Sequence, residues 1–263
     1  MKNKTTNIVE IRNLSVSVEE NDHRQNLLNG VDLDVPAGAI MGLVGGSGSG
    51  KTTTGLSILR LIDPALTIDS GEIRFQGKDV MRFTDIELRD MRGGNVSMVF
   101  QEPLLAFNPV FTIGYQIAEM LRQHTRLPPH QFHEKICSLL IQAGIKEPER
   151  VSKCYPHQLS GGMRQRSMIA MAIAAKPSLI IADEPTSNLD VTLQAKIMEL
   201  FRTLNKDFNI TILLITHDLG VVSHLTDYVA VMSQGQVVEQ GLTRDVLENP
   251  EHAYTQKLLK VIH

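Results

Sequence analysis

The sequence predicts an α/β fold in which a mixed sheet is flanked by helices and a helical subdomain is inserted into the chain. A glycine-rich loop follows the apolar run Ile40–Val44 and precedes a helical pattern. The runs Leu179–Ala182 and Ile210–Ile215 are continuously apolar, which is typical of parallel strands that helices cover on both faces. From Gln101 to Arg166, apolar residues recur instead at helical spacing, which predicts the inserted subdomain.

We expect one domain, and the changes between strand-like and helix-like apolar patterns divide its sequence into three parts. The predicted core comprises residues 1–100 and 167–245, the helical subdomain residues 101–166, and a short C-terminal segment residues 246–263. Near the C-terminus, Tyr228–Met232 and Val237–Gln240 flank a turn as a hairpin, and Tyr254–Ile262 predicts a terminal helix. The remaining predicted strands are Ile8–Ile11, Val31–Val35, Glu72–Phe75 and Val96–Phe100.

Composition argues against several classes of protein. The 263 residues are 42% hydrophobic with a net charge of -3, so no basic field is available for nucleic acid. The polar start, Met1–Asn13, lacks a secretory core, and the longest apolar run, Met168–Ala175, is too short to span a bilayer. We therefore expect a soluble chain that stays in the cytosol. Cys137 and Cys154 have no C-x-x-C spacing, so we expect reduced thiols with structural roles.

The glycine-rich loop fits the phosphate-binding pattern G-x-x-x-x-G-K-[ST], and it has the strand and helix that the pattern requires. Glycines let backbone N–H groups turn towards an anion, and the following helix presents its positive end. Lys51 adds a mobile charge for the β- and γ-phosphates, and Thr52 supplies a hydroxyl to Mg²⁺. The predicted nucleotide-binding residues are Gly45, Gly46, Ser47, Gly48, Ser49, Gly50, Lys51, Thr52 and Thr53.

Two adjacent carboxylates, Asp183 and Glu184, follow the apolar run Leu179–Ala182. This places them at the carboxyl edge of a sheet, where open α/β folds bind ligands. Because successive strand residues point in opposite directions, Asp183 can face Mg²⁺ while Glu184 reaches the γ-phosphate side. There Glu184 could orient and deprotonate the attacking water.

The segment Leu159–Arg166, which reads Leu-Ser-Gly-Gly-Met-Arg-Gln-Arg, closely resembles the signature of the ABC ATPases, a branch of the phosphate-loop NTPases. Four further landmarks of that family appear in order along the chain: Gln101, Asp183-Glu184, Ser187-Asn188-Leu189-Asp190 and His217. The resemblance implies an ATPase with ATP and Mg²⁺ as ligands. It also implies two ATPase domains that enclose two nucleotides head to tail.

The resemblance assigns roles only at matching positions. The implied catalytic residues are Lys51, Gln101, Glu184 and His217, with His217 contacting the γ-phosphate. The implied Mg²⁺ ligands are Thr52, Gln101 and Asp183. Ser160, Gly161, Gly162 and Gln165 are expected to contact the nucleotide of the opposite subunit, and Asp190 to signal across the dimer.

Some positions depart from the family pattern. Val18 stands where an aromatic ring usually packs on the adenine, and Asn188 stands where alanine is more usual. Oligopeptide-type relatives often continue into a cysteine-bearing extension, whereas this sequence ends at His263, so no iron–sulfur site is expected. His130 and His133 are expected to share a helix face as surface residues rather than metal ligands.

Within the family, the sequence resembles the ATPases of dipeptide, oligopeptide and nickel importers through Ala106-Phe107-Asn108-Pro109 and His252-Ala253-Tyr254-Thr255. Gly45-Gly46 and Val238-Glu239-Gln240-Gly241 favour nickel or a nickel chelate, with a peptide importer as the alternative. A non-transport ABC ATPase acting on ribosomes or DNA is an alternative of another class. It usually carries tandem ATPase halves or a long coiled-coil insertion, and neither appears in this sequence.

The resemblance also implies partners and a location. We expect a related second ATPase subunit, two permease chains and an extracytoplasmic binding protein. The apolar segment Leu104–Val110 is the expected permease contact, with subdomain core as the alternative interpretation. The chain would then lie peripherally on the cytoplasmic face of the inner membrane.

Overall fold

The structure, a computed structural model, describes residues 6–20, 23–187 and 189–260. The chain forms two compact units. One comprises residues 1–88 and 211–263, and the other comprises residues 89–210. The predicted division at residues 100 and 167 remains a prediction.

The first unit contains an antiparallel sheet formed by β1 (Asn7–Glu20), β2 (His23–Pro36), β4 (Leu66–Phe75) and β5 (Lys78–Asp79). In this sheet the strands lie in the order β2-β1-β4-β5. β1 and β4 are longer than the short apolar runs predict, because their outer residues alternate with buried ones rather than forming continuous apolar runs.

The same unit contains a mixed set of strands around β3 (Ile40–Gly45), all of whose residues are buried. β8 (Thr211–Thr216) and β9 (Tyr228–Ser233) each pair with β3 in parallel, whereas β10 (Gln236–Leu242) pairs with β9 in antiparallel. The parallel strand predicted at Ile210–Ile215 and the predicted hairpin are therefore confirmed.

Short helices complete the first unit. α1 (Lys51–Ile58) follows β3, as the loop pattern predicts, and α9 (Leu219–Leu225) follows β8. α10 (Thr243–Glu248) and α11 (Ala253–Lys260) form the C-terminal part. The predicted terminal helix is confirmed to Lys260, and residues 261 and 262 lie outside the described part. A buried cluster joins α9 and α10 to β3 and β9: Val44, Leu219, Val222, Val229, Val231 and Val246.

The second unit contains two parallel strands, β6 (Val96–Val99) and β7 (Leu179–Asp183), and most of the helices. The helical texture predicted after Gln101 is confirmed by α3 (Pro103–Ala106), α4 (Ile113–His124), α5 (Phe132–Gln142) and α6 (Pro148–Lys153). α7 (Gly161–Ala172) and α8 (Val191–Phe208) follow, and α2 (Asp85–Met91) lies at the boundary of the two units.

Apolar faces explain the longer helices. The buried residues of α4 include Ile113, Ile117 and Leu121, which recur every four residues. α8 likewise buries Ile197, Phe201 and Leu204 on one face. Among the described helices, none combines the length and the apolar character that crossing a bilayer requires.

Candidate functional site

The glycine-rich loop connects β3 directly to α1. A Cβ atom on Gly45 would lie 2.2 Å from the carbonyl oxygen of Met232, so no larger residue fits while β9 keeps its place. Gly50 precedes the helix with φ of 100°, a left-handed conformation that glycine adopts without steric cost. The backbone N–H of Gly235 also donates to the carbonyl oxygen of Ser49, at 3.1 Å. The loop is therefore held close to the β9–β10 hairpin.

Lys51 is folded back over this loop. Its Nζ donates hydrogen bonds to the carbonyl oxygens of Gly45 and Gly46, each at 2.9 Å. The residue is only 8% exposed, so its positive charge is held at the loop rather than in bulk solvent. Thr52, the next residue of α1, is exposed. The ammonium and the hydroxyl are thus placed one residue apart at the start of the helix.

Ser49 provides a test of whether the loop fits a phosphate ligand. Its hydroxyl oxygen is buried and has no hydrogen-bond partner among the described residues. Buried polar atoms are normally paired, so an orphaned hydroxyl in this loop indicates a missing partner. A phosphate oxygen could accept that hydrogen bond. The residues present therefore fit the nucleotide that the loop pattern predicts.

His217 follows the neighbouring strand at the same sheet edge. β3 and β8 are parallel, with Val44 opposite Thr216, so the loop and His217 leave the sheet in the same direction. His217 is exposed at this edge. The side chain of Asp218 caps α9 by accepting a hydrogen bond from the N–H of Val221, at 3.1 Å, which orders the chain just after His217.

An equivalent edge exists in the second unit. β6 and β7 are parallel, with Val99 opposite Ala182. Gln101, two residues after the end of β6, and Asp183, the last residue of β7, therefore lie at the same edge of the sheet. Asp183 is buried, at 5% exposure. Glu184 lies beyond the strand with φ of 45°. The alternation of side chains along β7 therefore ends at Asp183. The sequence-based prediction that the two carboxylates point in opposite directions assumed that this alternation continues to Glu184.

A turn follows Glu184. The backbone N–H and the hydroxyl of Ser187 donate to the Glu184 carbonyl oxygen, at 3.3 Å and 3.2 Å. These bonds hold Glu184 in a left-handed conformation that side chains other than glycine rarely adopt. Such conformations cluster at functional sites, where surrounding contacts stabilise them.

Gln101 shares a cleft with the signature segment. The cleft also contacts the turn after Glu184, so three of the sequence landmarks meet inside one unit. Gln165 is 2% exposed, and its Nε2 has no hydrogen-bond partner among the described residues. The lining residues include Gln101, Gly161, Arg164, Gln165, Ser187 and Leu189.

The signature begins α7 through a helix cap. Ser160 is the N-cap residue, and its hydroxyl accepts a hydrogen bond from the N–H of Met163 at 3.4 Å. Gly161 is exposed, and a Cβ atom there would meet nothing within 4 Å. At Gly162, in contrast, a Cβ atom would lie 2.3 Å from Cδ2 of Leu193. The tip of the helix thus has one face open and one face packed on α8.

Asp190 has a structural role in addition to the one that the family implies. Its carboxylate caps α8 by accepting a hydrogen bond from the N–H of Leu193, at 3.0 Å. The residue is exposed. Asn188, in the same motif, lies outside the described residues.

Sequence reasoning missed several contacts. The N–H of Gly46 donates to the hydroxyl oxygen of Tyr254, although 208 residues separate the two. In the sequence, Tyr254 belongs to a subgroup motif and to the predicted terminal helix, and neither indicates a contact with the loop. The expectation that His130 and His133 share a helix face is wrong, because His130 lies in a separate short turn before α5 and only His133 lies on the helix. His133 contacts Glu149 of α6 instead, at 3.0 Å. No local pattern in the sequence indicates either contact.

Comparisons with known proteins show the family to which the chain belongs. The family described as ABC transporter matches residues 28–187, which is more than half of the chain. The oligopeptide transport ATP-binding protein OppD of Lactococcus lactis is 45% identical over 257 residues, covering 98% of this chain and 76% of the relative. The dipeptide transport protein DppD of Bacillus subtilis is 42% identical, covering 96% and 76%.

Another relative is longer. The peptidoglycan transport ATP-binding protein YejF of Agrobacterium fabrum is 45% identical over 97% of this chain, but the chain covers 47% of YejF. The chain therefore spans about half the length of some curated relatives that it matches and three quarters of others.

Solved structures show the same fold. The ATP-binding cassette MJ0796, a dimer bound to ADP and phosphate, superposes with a TM-score of 0.81 at 28% identity, covering 90% of this chain and 99% of that one. The fold is thus that of a phosphate-loop NTPase with mixed sheets flanked by helices. On the family match and these identities, the chain belongs to the ATP-binding proteins of the ABC transporters, which hydrolyse ATP to power transport.

Proposed function

We propose that the chain is the ATP-hydrolysing subunit of an importer for dipeptides or oligopeptides. The observation that carries the proposal is the 45% identity to a protein named for oligopeptide transport, over 98% of this chain. The dipeptide transport relative supports it over a similar length. None of the three relatives described above is named for nickel, so they favour the peptide alternative over the nickel interpretation of the sequence.

In this proposal, the loop of residues 45–50 cradles the phosphates of ATP. Lys51 Nζ already lies against the carbonyl oxygens of Gly45 and Gly46, and it would turn from them to the β- and γ-phosphates. The ammonium group would then exchange carbonyl oxygens for phosphate oxygens as its hydrogen-bond partners. Because the ammonium is already buried, binding would not require it to lose a shell of bulk water. Thr53 lies beside Thr52 in the first turn of α1, where helix N–H groups point towards an anion.

The chemistry of the side chains fits Mg²⁺ as the metal. A hydroxyl from Thr52, a carboxylate from Asp183 and an amide oxygen from Gln101 are hard oxygen ligands, which Mg²⁺ prefers. When bound, the ion neutralises charge that develops on the phosphates. Asp183 lies buried at the end of β7, which favours a fixed position for its carboxylate.

For hydrolysis, we assign Glu184 as the general base that takes a proton from the attacking water. Its left-handed backbone, at φ of 45°, turns the chain away from the direction of β7. Gln101 would hold the water and sense the metal, and His217 would contact the γ-phosphate. The placement of His217 beyond β8, at the edge shared with the phosphate loop, supports this role.

Each nucleotide would be enclosed by two subunits. Ser160, Gly161, Gly162 and Gln165 would face the nucleotide that the opposite subunit holds. The open surface over Gly161 and the positive end of α7 support an anion partner outside the chain. Asp190 would transmit closure of one nucleotide site to the opposite subunit of the dimer. The dimer of the solved relative supports the arrangement.

The exposed apolar segment Leu104–Val110 would contact the permease. Leu105 is 84% exposed and Val110 67% exposed, which favours a docking surface at these two residues. Phe107 is buried, so this residue belongs to the subdomain core. Through two permease chains the subunit would lie peripherally on the cytoplasmic face of the inner membrane. A second, related ATPase and an extracytoplasmic binding protein complete the proposed importer.

The test is uptake in cells whose own copy carries Glu184→Gln. We expect dipeptide or oligopeptide uptake to fall to background while nickel uptake persists. The matched control is Glu248→Gln, because Glu248 is an exposed residue paired with Arg244 at 3.1 Å. Loss of nickel uptake alone would support the nickel interpretation, and loss of neither would support a non-transport ABC ATPase.

A further inference from the structure

Three side chains of different chemistry meet on the surface of α5 and α6. His133 and Cys137 are four residues apart on α5, so both project from one face of the helix. Glu149 lies in the first turn of α6. The Nε2 of His133 is 3.0 Å from Oε1 of Glu149, and the Sγ of Cys137 is 3.5 Å from the same oxygen. All three ligand atoms lie within 4.8 Å of one another.

These spacings match a tetrahedral metal centre. Zinc binds histidine nitrogen and carboxylate oxygen at about 2.0–2.2 Å and thiolate sulfur at about 2.3 Å. Tetrahedral angles then place ligand atoms about 3.3–3.6 Å apart, close to the two separations that Glu149 makes with His133 and Cys137. An ion could therefore bind after small adjustments of the three side chains.

Two cations of α6, Arg150 and Lys153, lie near the cluster in sequence. Arg150, the nearest cation in sequence to Glu149, is paired with Glu147 through two hydrogen bonds, at 2.8 Å and 3.1 Å. Arg150 is thus held by another carboxylate. Lys153, four residues after Glu149, acts on Cys137 instead, where its charge favours the thiolate. The cluster is also open to solvent, since the side chains of His133 and Glu149 are 64% and 62% exposed. A fourth position can thus be filled by water.

A redox role for the thiol fits less well. Burial, followed by the hydrogen bond to Glu149, raises the pKa of Cys137. Reactive cysteines instead have lowered pKa values. Both cysteines are free thiols, so Cys137 is not committed to a disulfide.

We propose that His133, Cys137 and Glu149 form a binding site for a divalent transition-metal ion of the zinc type, with water as the fourth ligand. The combination of thiolate, imidazole and carboxylate selects zinc, cobalt or nickel over Mg²⁺, which prefers oxygen ligands. The bound ion fastens α5 to α6. The site does not depend on the proposed transport function, because its ligands lie outside the candidate nucleotide site.

The experiment is a calorimetric titration of chelator-treated full-length protein with Zn²⁺, without nucleotide or Mg²⁺. We expect one ion per chain and a loss of affinity of at least about tenfold in His133→Gln, Cys137→Ser and Glu149→Gln. Cys154→Ser and His130→Gln are the matched controls, since each removes a residue of the same type outside the cluster. Their affinities should stay within about twofold of the unmodified protein.

A second measurement identifies the ligands directly. Co²⁺ in the same site should give a near-ultraviolet thiolate band, which Cys137→Ser loses and Cys154→Ser keeps. Cys137→His should retain Zn²⁺ binding, because imidazole can replace the thiolate, but should lack that band. The proposal is overturned if the unmodified protein binds no stoichiometric Zn²⁺. Equal affinity in the ligand variants and the controls would also overturn it.

Discussion

The hydroxyl oxygen of Tyr254, on the C-terminal helix α11, accepts a hydrogen bond from the backbone N–H of Gly46 at 3.0 Å. This contact joins the C-terminal helix to the loop on which nucleotide binding depends. Gly46 is partly buried, so its N–H has limited access to water as an alternative partner. The position of the loop therefore depends on a residue 208 positions away.

Tyr254→Phe tests this contact, because it removes the hydroxyl and keeps the ring. Loss of one hydrogen bond of this kind should lower the free energy of unfolding by about 1 kcal/mol. Since the loop loses a support, we also expect ATP affinity to fall by about threefold to tenfold. Thermal unfolding and nucleotide titration measure the two effects. Tyr228→Phe is the control, because the Tyr228 hydroxyl has no hydrogen bond to the described residues. Equal behaviour of the two variants would refute the role of Tyr254.

Glu239 fixes the segment that carries Tyr254, and its contribution to the stability of the fold should depend on pH. Its carboxylate accepts hydrogen bonds from the N–H groups of Glu251 and His252, at 2.9 Å and 3.1 Å. Desolvation opposes the shift, but hydrogen bonds to the carboxylate and the nearby His252 hold the pKa of Glu239 below its ordinary value. Because the pKa of Glu239 is lower in the folded protein than in the unfolded chain, its carboxylate stabilises the fold at pH values above the pKa of the unfolded chain. That stabilisation is lost as the pH falls through the pKa of the folded protein.

Melting temperatures across pH check this prediction. Glu239→Gln should melt below the unmodified protein at neutral pH, and the difference should shrink as the pH falls below about 4. Glu251→Gln is the matched control, because Glu251 contributes only its backbone N–H to this contact. A difference that is constant from neutral to acid pH would contradict the assignment to the ionised carboxylate.

Gly45→Ala tests the close approach of the loop to β9. The new Cβ atom would meet the carbonyl oxygen of Met232, which is backbone and cannot rotate away. Gly77→Ala is the control, because Gly77 has φ of 78° but open space around its missing Cβ. We expect Gly45→Ala to lower the free energy of unfolding by about 1–3 kcal/mol more than Gly77→Ala. Chemical denaturation measures both, and equal losses would contradict the proximity.

Two substitutions at Asp190 separate helix capping from signalling. Asparagine also accepts the hydrogen bond from the N–H of Leu193, so Asp190→Asn should keep the stability of α8. Asp190→Ala removes the cap and should lower the free energy of unfolding by about 1 kcal/mol. If the charge itself signals, both variants should lower ATP turnover in the assembled transporter. Turnover lost only in Asp190→Ala would mean that Asp190 acts through the cap.

The sequence predicted local elements well and distant contacts poorly. The phosphate loop, β7 and the start of α7 each follow from residues close in sequence, such as Gly50 and Ser160. The backbone turn at Glu184 was not predicted, because a left-handed conformation at a non-glycine residue depends on contacts from Ser187. Tyr254 on Gly46 and Glu149 beside His133 also escaped prediction, because only folding brings these residues together.

The central claim is that each nucleotide site takes Lys51 from one subunit and Ser160 from the opposite one. The most direct test is steady-state ATP hydrolysis by the assembled transporter, with this chain carrying either Lys51→Ala or Ser160→Arg. Because both groups would act on the bound phosphates, each substitution should lower turnover by about 100-fold or more. If Ser160→Arg leaves turnover at the level of the unmodified complex while Lys51→Ala abolishes it, the sites are not shared between subunits.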